Sequence, residues 1–269
     1  MIFKKNEGFS LIELSIVLII IGLLTSGVIG GTALMDAAAL VRAKQHSKNF
    51  YNLWDADIPK PALWLDASNK DNFIKNSDNE ISKWIDKSFK TNSAIQPSNT
   101  HQPIFLEKQL NKLPVVSFEG SDSFSIVNEI KESEGSIFFI YSSSETGTGG
   151  SILSSDLSGN LFYIQKGGAT GPYQINTYVN AGFRFDTGNG VYSLISNIFN
   201  SPTSLTVYKD KISKGTMNPN ISIDVKHIGK RFDSVYMTGY IAEMIIFDQT
   251  LNEDERKTVE KYLTTKWKL

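Results

Sequence analysis

Residues 8–24 read GFSLIELSIVLIIIGLL, and this stretch decides how the amino-terminal part of the chain folds. From Phe9 to Met35 the only charged residue is Glu13. The run is therefore long enough to cross a bilayer core of about 30 Å as a helix. A carboxylate at the centre of such a helix costs roughly 2.5–3.5 kcal/mol, and less near an end, so we predict that Glu13 has a functional partner.

A short leader, Met1–Gly8, precedes the apolar run and carries two lysines. Because no small-residue cleavage site follows the run, any cleavage must come before the helix. The basic leader, its final glycine and the segment FSLIEL at residues 9–14 together resemble the type IV pilin and pseudopilin family. The resemblance covers only the leader and the amino-terminal helix.

The resemblance implies a processing route. In that family a prepilin peptidase cleaves after the glycine, here between Gly8 and Phe9, and the new amino-terminal Phe9 is N-methylated. The glutamate, here Glu13, then pairs with the amino terminus of a neighbouring subunit during assembly. Burial of either charge alone in the apolar centre of a filament would be strongly unfavourable, which agrees with such a pairing. The alternative is a plain signal anchor in which Glu13 is incidental.

These expectations define the partners and the location. We expect contacts with a prepilin peptidase, with other pilin or pseudopilin subunits through the amino-terminal helix, and with the inner membrane before assembly. The chain would cross the bacterial inner membrane once, with its head outside the cytoplasm, and later lie in a periplasmic or cell-surface filament. A glycan or a surface protein is the expected ligand of the head. Since the net charge is −1 and both signs are interspersed, no nucleic acid is expected as a partner.

The amino-terminal helix should extend from Phe9 to about Asn52. Its second half has apolar and charged residues at helical spacing, which predicts an amphipathic helix. At 1.5 Å per residue the whole helix would span roughly 65 Å. A glycine weakens a helix by up to about 1 kcal/mol relative to alanine, so glycines favour either bending or close helix packing. Four of them fall in this helix: Gly22, Gly27, Gly30 and Gly31.

The remainder predicts a separate all-β head. Residues 53–61 contain two prolines and two acids and indicate a linker. Residues 62–269 then show short apolar or alternating runs separated by turn-forming residues, which is typical of an antiparallel sandwich or jelly roll. The chain closes with a helix that Asn252 and Glu255 can cap. The predicted architecture is therefore a long amino-terminal helix, a β-jelly roll and one carboxy-terminal helix.

A second resemblance is carried by four segments of the head: LWLDA at 63–67, WID at 84–86, LPVVSFEG at 113–120 and GYIAEMIIFD at 239–248. They resemble the concanavalin A-like lectin/glucanase superfamily, and in particular the laminin-G-like domains of bacterial surface proteins. Membership implies a jelly roll of two packed sheets. Such domains commonly bind glycans or protein partners, sometimes through calcium.

The acids of the head do not predict hydrolysis. Glucanases of that superfamily place acids at alternate positions on one strand, so that two carboxylates face the sugar. In this sequence the candidate acids stand alone: Asp66, Glu119, Glu243 and Asp248. The histidines are also isolated, with no obvious nucleophile beside them: His46, His101 and His227. We therefore expect no catalytic residue and no enzymatic activity.

No cofactor is expected either. The chain has no cysteine, which excludes CxxC metal sites. Oxygen-rich loops at residues 154–160 and 186–190 offer carboxylate and carbonyl ligands for calcium, but they could equally be turns. Calcium is therefore possible in the head and is assigned to no residue.

Three functions remain open. The first is a pilin-like subunit, minor rather than major because its head is large, whose lectin-like surface serves adhesion. The second is a pseudopilin scaffold in a type II secretion or DNA-uptake system. The third is a membrane-tethered glycan hydrolase, which the isolated acids disfavour.

Overall fold

The computed structural model describes residues 11–143, 150–156, 162–166, 173–177, 184–185 and 190–269. In these residues the chain forms two α-helices, α1 (Leu11–Tyr51) and α2 (Glu253–Trp267). Short 3-10 helices lie at Lys70–Asn72 and Asn99–His101. The strands are β1 Leu63–Asp66, β2 Phe73–Lys75, β3 Ile81–Trp84, β4 Ala94–Ile95, β5 Ile104–Leu110, β6 Leu113–Glu119, β7 Phe124–Glu132, β8 Gly135–Ser143, β9 Ser151–Ser154, β10 Phe162–Lys166, β11 Tyr173–Thr177, β12 Arg184–Phe185, β13 Ser193–Ser201, β14 Ser204–Lys209, β15 Ile212–Met217, β16 Ile223–Ile228 and β17 Thr238–Phe247.

The described strands form two antiparallel sheets, which confirms the predicted fold class. One sheet has the order β15-β14-β13-β8-β17-β6-β5. Strand β6 pairs with residues 238–241 of β17, and β1 pairs with the following residues, 243–246. The other sheet has the order β12-β11-β10-β9-β16-β7-β4-β3-β2. We call them the eight-stranded and the nine-stranded sheet. Because β1 and β17 are neighbours, the two ends of the head sequence meet within one sheet.

Strand β8 lies at the centre of the eight-stranded sheet, between β13 and β17, and all nine of its residues are buried. Its sequence, GSIFFIYSS, is rich in the β-branched and aromatic residues that pack well on a pleated surface. Because residues on both faces of this strand are buried, its serines included, the strand is covered on both sides. The nine-stranded sheet covers one side, and α2 packs across the other.

Helix α2 begins with the capping arrangement expected from the sequence. The side chain of Asn252 accepts hydrogen bonds from the backbone of Asp254 and Glu255, and Glu255 accepts one from the backbone N–H of Asn252. Its apolar side, Val259, Leu263 and Trp267, is completely buried. The capping prediction is confirmed, and the helix is held on the outer side of the eight-stranded sheet.

The second half of α1 packs against the head. Four of its residues, spaced at one helical turn, are buried: Ala39, Ala43, Ser47 and Phe50. The ring of Phe50 stacks on Tyr262 of α2, with centroids 4.1 Å apart, and meets the edge of Trp64 at 5.3 Å. Both ends of the chain therefore contribute to one aromatic cluster beside β1.

Candidate functional site

The predicted processing residues lie at the start of α1. Gly8 and Phe9 fall outside the described residues. Glu13 is part of α1, but its side chain is not among those the structure describes. Cleavage, methylation and the assembly contact therefore stay predictions.

Helix α1 passes through the four glycines from Gly22 to Gly31 without a break in its assigned helix. A Cβ built on Gly31 meets no atom within 4 Å. The prediction that the helix bends at these glycines concerns motion, and it stays a prediction.

The first turns of α1 stand away from the head and expose apolar side chains. Leu11 is 84% exposed and Ile19 is 62% exposed. Exposed hydrophobic residues also follow at each turn between them: Leu14, Ile16, Val17 and Leu18. An apolar patch of this kind on a soluble surface marks a contact with a partner or a membrane. Among the described residues, no helix is both long enough and apolar enough to cross a membrane.

A polar cluster lies on the outer face of the nine-stranded sheet, where β7 and β16 pair. Ile223, Val225 and Ile228 of β16 point into the core, so Asp224 faces outward. Asp224 is the register partner of Lys131 on β7, whose side chain is 53% exposed. We call Ser125, Glu129, Lys131, Asp224 and His227 the β7–β16 cluster.

Glu129 and Asp224 form its centre. Lys131 Nζ lies 3.0 Å from Glu129 Oε2 and 3.9 Å from Asp224 Oδ2. Oε1 of Glu129 and Oδ1 of Asp224 are buried and accept no hydrogen bond from any described residue. Burial and the neighbouring Glu129 raise the pKa of Asp224 to about 7. The protonated form of Asp224 can donate a hydrogen bond to Glu129.

Burial alone would raise the pKa of Glu129, but its hydrogen bonds with Asp224 and Lys131 outweigh this and hold that pKa below its usual range. At mildly acidic pH Glu129 is thus ionised while Asp224 keeps its proton, and Asp224 loses that proton as the pH rises through about 7. Such a pair can donate to and accept from a sugar hydroxyl. It is also the protonation state that acid–base catalysis requires.

His227 completes the cluster on the side of β9. Its Nδ1 lies 3.1 Å from Ser125 Oγ, and its Nε2 lies 4.0 Å from Asp156 Oδ1. Burial, with the charge of Lys230, lowers the pKa of His227 to about 4. The imidazole is therefore neutral at physiological pH, and its polar partners are a hydroxyl and a distant carboxylate. Ser125 is the direct register partner of His227, so the fold places a hydroxyl beside a histidine that is isolated in the sequence.

The sequence did not reveal the cluster because its residues lie on strands far apart in the chain. The expected pattern of acids was alternation along one strand, whereas Glu129 and Asp224 meet across two strands. Glu129 lies two residues before Lys131, the register partner of Asp224, and the register shift between Val225 and His227 then places Ser125 opposite His227. The available signal was Asp224, an acid between two apolar residues, and it does not indicate a partner on another strand.

Two of the acids that stand alone in the sequence also meet in the structure. Asp66 on β1 and Glu243 on β17 are register partners, and both are fully buried. Lys266 of α2 lies between them, and Lys87 contacts Asp66 from the other side. Burial raises the pKa of Asp66, but the two ammonium groups outweigh it and hold that pKa below its usual range.

In the part of the chain that the structure describes, no three His, Asp or Glu side chains lie close enough together to bind a metal ion. Most of the loop at residues 186–190 and most of the loop at residues 154–160 lie outside the described residues. The calcium possibility for these loops is therefore not addressed by the structure.

Comparison with known families identifies the amino terminus. Residues 3–29 match the family described as "Prokaryotic N-terminal methylation motif". The chain thus has a prepilin-type amino terminus, which implies processing by a prepilin peptidase and assembly of the pilin type. No curated protein matches the sequence.

Solved structures share the fold of the head. A GH54 α-L-arabinofuranosidase complexed with arabinofuranosyl-α-1,2-xylobiose has a TM-score of 0.56 at 10% identity, over 70% of this chain and 51% of the other. Trypanosoma rangeli sialidase, in complex with 2,3-difluorosialic acid as a covalent intermediate, has a TM-score of 0.54 at 12% identity, over 88% of this chain and 39% of the other. The binding domain of Paraclostridial mosquitocidal protein 1 has a TM-score of 0.51 at 11% identity, over 77% of this chain and 55% of the other.

The head is therefore a β-sandwich, a fold that also occurs in these three proteins. The expectation that this chain is not an enzyme is contradicted, because an arabinofuranosidase and a sialidase share its fold. The reasoning failed where it treated the acids as isolated, since the fold brings carboxylates together in two places. At 10–12% identity the likeness concerns the fold, and the chain spans only about half or less of those proteins.

Proposed function

We propose that the chain is a prepilin-processed, minor subunit of a type IV pilus or related filament, and that its head presents a glycan-binding surface. The match of residues 3–29 to the methylation motif carries the first part. The first turns of α1 support it, because Leu11, Leu14 and Ile19 are exposed and can contact neighbouring subunits. A filament interior built of such helices would cover them.

The β7–β16 cluster is the proposed ligand site of the head. It combines a donor and an acceptor, Asp224 and Glu129, with the cation of Lys131 on an outward-facing strand pair. Hydroxyl-rich ligands need such mixed partners, which must be rigidly placed to give orientation. Likeness to glycosidase and sialidase structures makes a glycan the first ligand class to test.

Processing is tested by expressing the full chain with the prepilin peptidase of its own source and determining the mature amino terminus by mass spectrometry. We expect a product that begins at methylated Phe9 and disappears in the Gly8→Ala variant. A chain that begins at Met1 in both would exclude the pilin route. A Glu13→Ala variant should still be cleaved but should fail to enter filaments.

Ligand binding is tested on a glycan array with a fragment that starts at Thr32, which retains the four residues of α1 that the structure describes as buried. We expect binding that Asp224→Asn or Glu129→Gln reduces at least tenfold. Glu119→Gln, which removes an exposed acid from the other sheet, serves as the matched control. The eluted glycans should also be checked for cleavage. If no glycan binds, the pseudopilin scaffold, which requires protein partners only, replaces the adhesin.

A further inference from the structure

Lys266 is a buried lysine held between two carboxylates. Its Nζ lies 2.7 Å from Oδ1 of Asp66 and 2.7 Å from Oε2 of Glu243. None of the three side chains is more than 1% exposed. They come from α2, β1 and β17, so three separate elements fix an amine, a carboxyl group and a second carboxylate in one dry site.

The two carboxylates have different surroundings. Oδ2 of Asp66 accepts hydrogen bonds from Lys87 Nζ at 2.8 Å and from Ser47 Oγ at 2.9 Å. A cation and a hydroxyl therefore lie where negative charge would develop if the carboxyl carbon of Asp66 were attacked. Glu243 is held instead by neutral ring donors: Trp64 Nε1 at 2.7 Å, Tyr262 Oη at 2.6 Å and Trp267 Nε1 at 2.6 Å.

We propose that Lys266 and Asp66 become joined by an intramolecular amide bond, with Glu243 as the catalytic acid and base. Glu243 Oε2 takes a proton from the Lys266 ammonium and passes it to Oδ1 of Asp66, and the free amine then attacks Cγ of the neutral carboxyl group. The intermediate places its negative charge on Oδ2, beside Lys87 and Ser47. Oδ1, which already carries the proton that Glu243 delivered, takes a second proton from the attacking nitrogen and leaves as water.

The balance of this step requires no further reactant. An ammonium and a carboxylate give one amide and one water molecule. Fixed reacting groups and the exclusion of bulk water are the two conditions that most accelerate such an intramolecular reaction. A cleft of about 430 Å³ reaches the site beside Lys87 and offers the water a route to solvent.

The bond would tie the first strand of the head to the last helix. Strand β1 follows α1 along the chain and is held to β17 by backbone hydrogen bonds. Force transmitted through α1 would otherwise peel β1 from the sheet edge. The proposal does not depend on the ligand of the head or on its place in a filament.

Mass spectrometry of the intact, denatured full chain tests the proposal. We expect a mass lower than the sequence mass by one water molecule, and a proteolytic peptide that joins the segments containing Asp66 and Lys266. A chain of full sequence mass would overturn it. A cross-link that maps to Lys87 instead of Lys266 would overturn the assignment of the nucleophile.

Three variants serve as controls. Lys266→Arg keeps the charge but lacks the nucleophile, and Glu243→Gln keeps the shape but lacks the base, so both should show the full mass. In Asp66→Asn the leaving group is ammonia, so its product should have the same mass as the wild-type product. Water loss that persists in Lys266→Arg would contradict the proposal even if every variant folds less well, because mass does not depend on stability.

Discussion

At the scale of single residues, Asp224 and His227 lie on one strand and titrate in opposite senses. Burial raises the pKa of Asp224 to about 7 and lowers the pKa of His227 to about 4. In the unfolded chain these groups titrate near 3.9 and 6.5. The native protein therefore binds more protons than the unfolded chain at Asp224, and fewer at His227, across most of the same pH range.

We predict that Asp224→Asn separates the two effects. In the wild type, the contribution of Asp224 to stability is present at low pH and is lost as the pH rises from about 4 to about 7, where native Asp224 gives up its proton. The free energy of unfolding of the wild type, minus that of the variant, should thus fall by up to about 4 kcal/mol over this range. Urea denaturation at several pH values measures the difference.

The matched control is Asp78→Asn, which removes one negative charge from an exposed turn. His227→Gln should show the reverse trend, because native His227 loses its proton at lower pH than the unfolded histidine. A difference for Asp224→Asn that stays constant between pH 4 and pH 7 would show that the pKa of native Asp224 is not raised.

At the scale of elements, α1 contacts the head through the aromatic ring of Phe50. Phe50 is 1% exposed and packs against Tyr262 and Trp64. We predict that Phe50→Ala lowers the free energy of unfolding by about 3–5 kcal/mol, the usual cost of such a cavity. Val41→Ala, at a position of α1 that is 69% exposed, should change it by less than about 0.5 kcal/mol. Equal effects would mean that this half of α1 is not docked on the head in solution.

The elements that the sequence predicted well are those whose signals are local. The apolar run from Phe9 to Met35 and the amphipathic spacing after it predicted α1, and the capping residue Asn252 predicted the start of α2. Strand β15, ISKGTM, has little strand signal in the sequence because most of its residues are polar and all are at least partly exposed. Strand β7, FSIVNEIKE, does not alternate regularly, and its ladder with β16 contains a bulge. That bulge places Ser125 opposite His227, so the irregularity that weakens the strand signal is part of the candidate site.

At the scale of the whole molecule, α1 is both an assembly element and a part of the head. Beyond the aromatic contact of Phe50, the residues that follow the helix are also buried, with Trp54 8% and Ile58 3% exposed. Two ion pairs, from Lys108 and Lys112 to Asp36, tie α1 to the β5–β6 hairpin. The predicted boundary at residue 62 therefore divides the sequence at a place where the packing is continuous.

We predict that a fragment starting at Thr32 folds cooperatively, whereas one starting at Ala62 does not reach the same stability. The shorter fragment lacks Phe50, Trp54 and Ile58, which uncovers the indole of Trp64 and one side of α2. Since loss of a single buried aromatic ring costs about 3–5 kcal/mol, the shorter fragment should unfold at a clearly lower urea concentration and bind a hydrophobic dye. Equal urea midpoints would instead show that the sandwich core is complete without α1, and that a filament could pull on the helix without loading the head.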